Sequence, residues 1–290
     1  MNSSGFAPFH RWDRNFFLLM VALIWLGILM GFVPEIIRHT QMNKPAYPLV
    51  VHIHALVFVS WLLLLTTQLL LIRSGRVDIH KRLGVAGIVL APLMVVFGLA
   101  TSIIVDYLHF PTPQGDAPFL AIQLADLVNF GTLATAALLL RGTPSAHKRL
   151  IILATIFISD AGFARWWGGA IEHAVGDGFW QDWLQDYVSD FLLVAIFAAY
   201  DLITRGRLHS AFVAGAMFGL AMEVLAVWAY VSPWWKPVAT HLIGRLEISG
   251  RRFGDGGGGI HPAPAKAATA AMFPLRGVTQ HNGWGTLPVI

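Results

Sequence analysis

Several carboxylates stand inside stretches of sequence that otherwise read as membrane-spanning, among them Asp126, Asp160, Asp190 and Glu223. An ionisable group at the centre of a bilayer costs roughly 2.5–3.5 kcal/mol on insertion scales, so it is expected to face protein or water. Counting about 1.5 Å of rise per residue, all four fall between the midplane and one face of the membrane, and His54 joins them about one turn into a further span. Five spans that each contribute a polar group at one level are the main chemical signal in this chain. Carboxylates near the midplane can titrate when access alternates between the two sides. The chemistry they point to is binding or proton-coupled transport of a small solute.

Helical phase refines the candidate set. Asp182, Asp186 and Asp190 recur every four residues, forming an acidic stripe that descends from the outer surface. Gln123, Asp126 and Asn129 make a similar polar arc. His54, Trp61 and Gln68 are spaced by sevens and share one helix face, with a drift of about 20° per step. His52 lies about 200° around the helix from His54, so only one of the two can face the bundle, and His54 is expected to be that one. Arg165, next to Trp166 and Trp167, is the expected counter-charge. The expected site is an outward-facing polar pocket of His54, Gln123, Asp126, Asp160, Arg165, Asp186, Asp190 and Glu223. The plainer reading is structural: Asp160 pairs with Arg165, and a protonated Glu223 bonds to a backbone carbonyl. One buried ion pair would suffice for structure, and the set is larger than that.

The solute reading calls for no cofactor, and two other chemistries compete with it. His80 and His147 share an inner level on different spans, as two axial ligands of haem b would. His54 with Asp126, Asp160 and Asp190 has the ligand types for Zn²⁺ in an intramembrane hydrolase, although no His-Glu-x-x-His spacing is present.

The elements that position these residues follow from composition. The chain has 290 residues, 56% hydrophobic and 12% charged, with a mean hydropathy of +0.63. Soluble domains carry about a quarter charged residues. Half that share leaves too few charges for a water-facing surface, and the lipid bilayer is the natural solvent. With no cysteine, disulfides, thiolate ligands and cysteine nucleophiles are excluded. The net charge of +4 sits in short loops and is no nucleic-acid signal. A span needs about 20 mostly apolar residues. Seven stretches qualify, at Asn15–Val33, Leu49–Ile72, Gly84–Val105, Ala117–Leu140, Leu150–Ile171, Trp183–Thr204 and Ala211–Val231. The predicted fold is an all-α polytopic membrane bundle over residues 1–249. A low-complexity, dispensable tail follows over 250–290. Pro92 is expected to kink the third span.

Lys and Arg concentrate in the segments before span one and in the turns after spans two, four and six, which places the N-terminus in the cytoplasm and the C-terminus outside. Two of those turns repeat. His80-Lys81-Arg82-Leu83 and His147-Lys148-Arg149-Leu150 each follow a glycine turn, and Arg205-Gly206-Arg207-Leu208-His209 is a shorter third version. Three like-oriented helical hairpins after a single helix would produce this pattern.

Pro45 to Trp167 resembles a class of bacterial multi-pass inner-membrane proteins of unknown function. The likeness rests on His52-Ile53-His54, Trp61, Gln68 and the turn His80-Lys81-Arg82-Leu83-Gly84. The second His-Lys-Arg-Leu, followed by Ala164-Arg165-Trp166, extends it. The resemblance implies a bacterial inner membrane and carries no activity with it.

Overall fold

Apolar runs of the length found above fold as helices because a bilayer leaves no water to satisfy free backbone groups. The structure, a computed structural model, describes residues 6–109 and 116–254, with side chains up to residue 244. The chain runs through α1 (Asp13–Gln41), α2 (Leu49–Arg73) and α3 (Val77–His109). A 3₁₀ turn at Ala117–Phe119 leads into α4 (Leu120–Leu139). Then come α5 (Pro144–Ile156), α6 (Asp160–Val175), α7 (Phe179–Arg205), α8 (Ser210–Val231) and α9 (Trp235–Gly254). Six of these elements are long and apolar enough to cross a membrane, and α5 with α6, bent by 45° at the break, would together be a seventh if they form one span. Leu56, Leu63, Val85, Met217 and Ile203 are more than half exposed, as lipid-facing side chains would be. The fold is a polytopic helical bundle.

The expected hairpins pair as neighbours: α2 packs on α3, α4 on α5, and α7 on α8. Gly75 and Gly206 turn the first and third with positive φ, 76° and 68°, which a side chain would resist. Between the hairpins lies a core of Phe16, Phe17, Met20 and Ile24 from α1 against Phe130, Phe157, Phe197 and Phe212. Phe16 stacks flat on Tyr200 at 3.7 Å.

Three expectations change. The first span does not stop at Val33, because α1 continues through Pro34 to Gln41. The fifth span is two helices, since residues 157–159 interrupt it. The third change is α9, which has no long apolar run. It is amphipathic, and it buries Ala239 and Ile243 against Ala117 and Leu120. α3 runs as one helix with Pro92 inside it. Residues 255–290 of the expected tail lie outside the described residues.

α1 and α6 meet through glycine. A Cβ on Gly162 would sit 2.8 Å from the Gly27 carbonyl oxygen, and one on Gly31 would overlap the Gly162 carbonyl. Small residues let two helix backbones touch where lipid supplies no hydrophobic drive between them.

Candidate functional site: a closed carboxyl cluster

The break after Ile156 builds the site. Phe157 turns its ring onto Gly219 of α8, where any Cβ would overlap it. The Ser159 hydroxyl donates to the Ile156 carbonyl at 2.8 Å, satisfying one of the groups that the interruption frees. Trp61 of α2 steadies α5 from the other side by donating to the Thr155 hydroxyl at 3.1 Å. Asp160 thereby becomes the first residue of α6. On α8, the Asn129 amide of α4 donates to the Gly219 carbonyl at 3.3 Å. One turn further along α8 comes Glu223, on the same helix face.

These placements bring together Asp126 of α4, Asp160 of α6, Asp186 and Asp190 of α7, and Glu223 of α8. Asp160 acts electrostatically on Asp126, Asp190 and Glu223, and Asp186 acts on Asp126. Asp126 lies within hydrogen-bonding reach of Asp160, and Asp190 within reach of Glu223. Tyr187 donates to Asp126 Oδ1 at 3.2 Å, and Ser189 to Asp190 Oδ1 at 3.2 Å. Asp160 Oδ1, Asp190 Oδ2 and both Glu223 oxygens find no N–H or O–H donor among the described residues. Asn129 Oδ1 is buried in the same condition. The polar neighbours of Glu223 are the carboxyl groups of Asp160 and Asp190, and Asp126 and Asp160 neighbour each other. Two such groups can hydrogen-bond only with a proton between them. Among the described residues, no Lys or Arg forms an ion pair with Asp126, Asp190 or Glu223.

The expected pocket is closed rather than open. Asp126 is 9% exposed, Asp160 3%, Asp186 4%, and Asp190 and Glu223 0%. The acidic stripe of α7 runs from half-buried Asp182 through Asp186 to Asp190, as its spacing required. Tyr230 extends it toward the surface by donating to Asp116 at 2.9 Å.

The structure does not bring every expected residue to this centre. His54 is half-buried on the α3 side of α2, beside the Phe97 backbone; it packs on Phe58 at 4.0 Å, and its Nδ1 is buried with no hydrogen-bond partner among the described residues. Phase alone put it on an inward face; at its level that face lies against α3, and only two turns further along does Trp61 reach α4 and α5. His52 is exposed. Gln123 is half-buried, one turn above Asp126, with Oε1 lacking a partner. Arg165 is exposed at the edge. It donates to the Ala161 carbonyl at 2.7 Å and lies over Phe32 at 4.7 Å. Glu35 is its strongest electrostatic neighbour and Asp160 the next, so it serves the rim more than the centre.

At the opposite end, His147 donates from Nδ1 to the Ala137 carbonyl at 2.8 Å, and the Nδ1 of His80 is buried without a partner. Among the described residues, no three His, Asp or Glu side chains converge as a metal ion would require.

Sequence reasoning missed a second buried charged centre at this basic end. Arg149 and Asp201, both 0% exposed, form a bidentate pair at 2.7 and 2.5 Å. Asp13 takes Lys148 at 2.7 Å, Arg205 at 2.8 and 2.9 Å, and the Tyr200 hydroxyl at 2.6 Å. Asp201 stands inside the sixth apolar run four residues before Arg205, and that spacing was the available signal. Tyr187, also missed, had no signal beyond its place between Asp186 and Asp190.

Comparison with known proteins finds no matching family model, no similar curated protein and no similar solved structure. The fold and the site define the class: a multi-pass helical bundle with a broken span and a closed carboxyl cluster at the break.

Proposed function

We propose that this protein binds a small solute within the membrane and couples its movement to protons held by the Asp126, Asp160, Asp190 and Glu223 cluster. The observation that carries the reading is Glu223, fully buried, with neither oxygen given a donor and with Asp190 as its polar neighbour. Such a group is costly unless it exchanges a proton or meets a cationic partner. The broken span supports the same reading. Interrupted helices place free backbone groups and side chains at membrane depth, where carriers hold their cargo. The α7 stripe offers steps between the surface and the cluster, through Asp182 and Asp186.

The proposed setting is a bacterial inner membrane, with the N-terminus cytoplasmic and the C-terminus periplasmic. The Lys and Arg asymmetry of the turns supports this. Reporter fusions at Gly142 and Gly176 check it: a periplasm-active reporter should be silent at Gly142 and active at Gly176.

Infrared difference spectroscopy across a pH titration tests the cluster. A C=O stretch of protonated carboxyl should be present and should lose intensity in Glu223→Gln and in Asp190→Asn. In proteoliposomes holding a pH indicator, some member of a panel of small cationic and neutral solutes should drive proton movement that both substitutions abolish. No protonated-carboxyl band, together with no solute-driven proton movement, would overturn the proposal.

A further inference from the structure

The chain before α1 folds back over the basic end of the bundle, and most of its contacts there are with cationic side chains. The Ala7 carbonyl accepts from Arg205 Nε at 3.0 Å, and the Pro8 carbonyl accepts from Lys148 Nζ at 2.7 Å. The Phe6 ring lies under three guanidinium groups: Arg149 at 4.5 Å, Arg205 at 5.2 Å and Arg207 at 5.9 Å. Its edge meets the His209 ring at 4.7 Å. Phe9 lies 5.2 Å from Lys148 Nζ. Asp13, which ends the segment, holds Lys148 and Arg205 at once. Apolar packing contributes little: Phe9 remains 70% exposed and Trp12 47%.

The segment therefore grips side chains from α5, α7 and the start of α8. These helices, with α6 continuing α5, carry Asp160, Asp186, Asp190 and Glu223 further along, from mid-helix toward the opposite end. Beneath the grip, the Arg149–Asp201 pair is complete without it. Carbonyl-to-ammonium bonds and cation–π contacts at an aqueous end can exchange for water, whereas a buried apolar interface cannot do so cheaply. The arrangement has the chemistry of a strap that can let go, placed over a network that stays neutralised when it does.

We propose that residues 6–9 form a releasable latch, anchored at the buried ion pairs of Asp13, that ties together the basic ends of α5, α7 and α8, and that its release opens a water path between them. The opening serves the transport reading above, but it is measured without reference to transport. The chain has no native cysteine, so a single introduced thiol reports access cleanly. Ser145 is buried; its hydroxyl accepts from His209 at 3.2 Å, one residue removed from Phe6. Ser145→Cys should react slowly with a membrane-impermeant maleimide in the full-length protein in proteoliposomes. Phe6→Ala, and separately deletion of residues 2–9, should raise that rate by about tenfold or more, each lost cation–π contact being worth a few-fold. Ala134→Cys, in the apolar core and 0% exposed, should stay unreactive in both backgrounds. An unchanged Ser145→Cys rate in both variants overturns the latch. So does equal labelling at Ala134→Cys, which would make the segment part of the fold rather than a device that opens.

Discussion

Replacing Asp201 by Ala tests how the basic end is held. Arg149 would keep its bond to the Ser145 carbonyl at 2.8 Å and the Phe6 ring, but lose both bonds to carboxylate. Its guanidinium has no exposure to water through which to recover. Breaking a buried pair from one side costs about 3–5 kcal/mol, and Asp201→Ala belongs at the upper end because Arg205 also loses a contact at 3.5 Å. Arg149→Met belongs at the lower end, about 3 kcal/mol, since Asp201 retains Arg205 as a partner. The double change Arg149→Met with Asp201→Leu removes both charges and keeps most of the volume, so it should sit within about 1 kcal/mol of the parent, or above it. Reversible unfolding in mixed micelles, followed by the fluorescence of the 11 tryptophans, measures all three. A loss below about 1 kcal/mol for Asp201→Ala, or a double change as costly as the two singles summed, would refute the reasoning.

Two further outcomes follow from the packing and the caps. Gly162→Val should destabilise by about 1–3 kcal/mol or more by parting α1 from α6, whereas Gly169→Ala, with no atom within 4 Å of the added Cβ, should be nearly neutral; the same unfolding assay separates them. His209 caps α8 by accepting from the Ala211 amide at 3.1 Å on Nδ1, which leaves Nε2–H to donate to Ser145. Burial, then the Arg149 charge, holds its pKa below the ordinary 6.5, with Lys148 and Arg205 adding to the effect and Asp201 opposing it. The folded state thus binds fewer protons than the unfolded one below about pH 6.5, so stability should fall as pH drops through that value and level off below the folded pKa. His209→Asn should flatten this part of the curve, and an unchanged slope would show that another group sets it.

The helices were legible because a bilayer demands them. Every long apolar run became helical, the fifth as two helices, because a bilayer offers backbone groups no water to bond to. The α7 stripe was legible for a related reason: spacing by four fixes one face of a helix whatever surrounds it. The break at residues 157–159 was not legible. Phe-Ile-Ser holds neither proline nor glycine, and the ring of Phe157 at the break fills a space that Gly219 leaves on another helix, a fit that no local pattern announces. His54 was misplaced because phase tells which residues share a face, not which helix that face meets.

The repeated tetrapeptide draws the boundary between sequence and tertiary structure. His-Lys-Arg-Leu occurs at residues 80–83 and at 147–150, each time at the start of a helix after a basic turn. The sequence alone determined that both copies lie at the same end of the bundle, because the number of spans between them and the positive charge of the turns require it. In the first copy Lys81 and Arg82 are exposed. In the second, Arg149 is wholly buried and Lys148 is paired with Asp13. Only the tertiary structure decided this. A cation can leave water where a carboxylate awaits it, and the long-range packing of α1 and α7 set Asp13 and Asp201 beside the second copy.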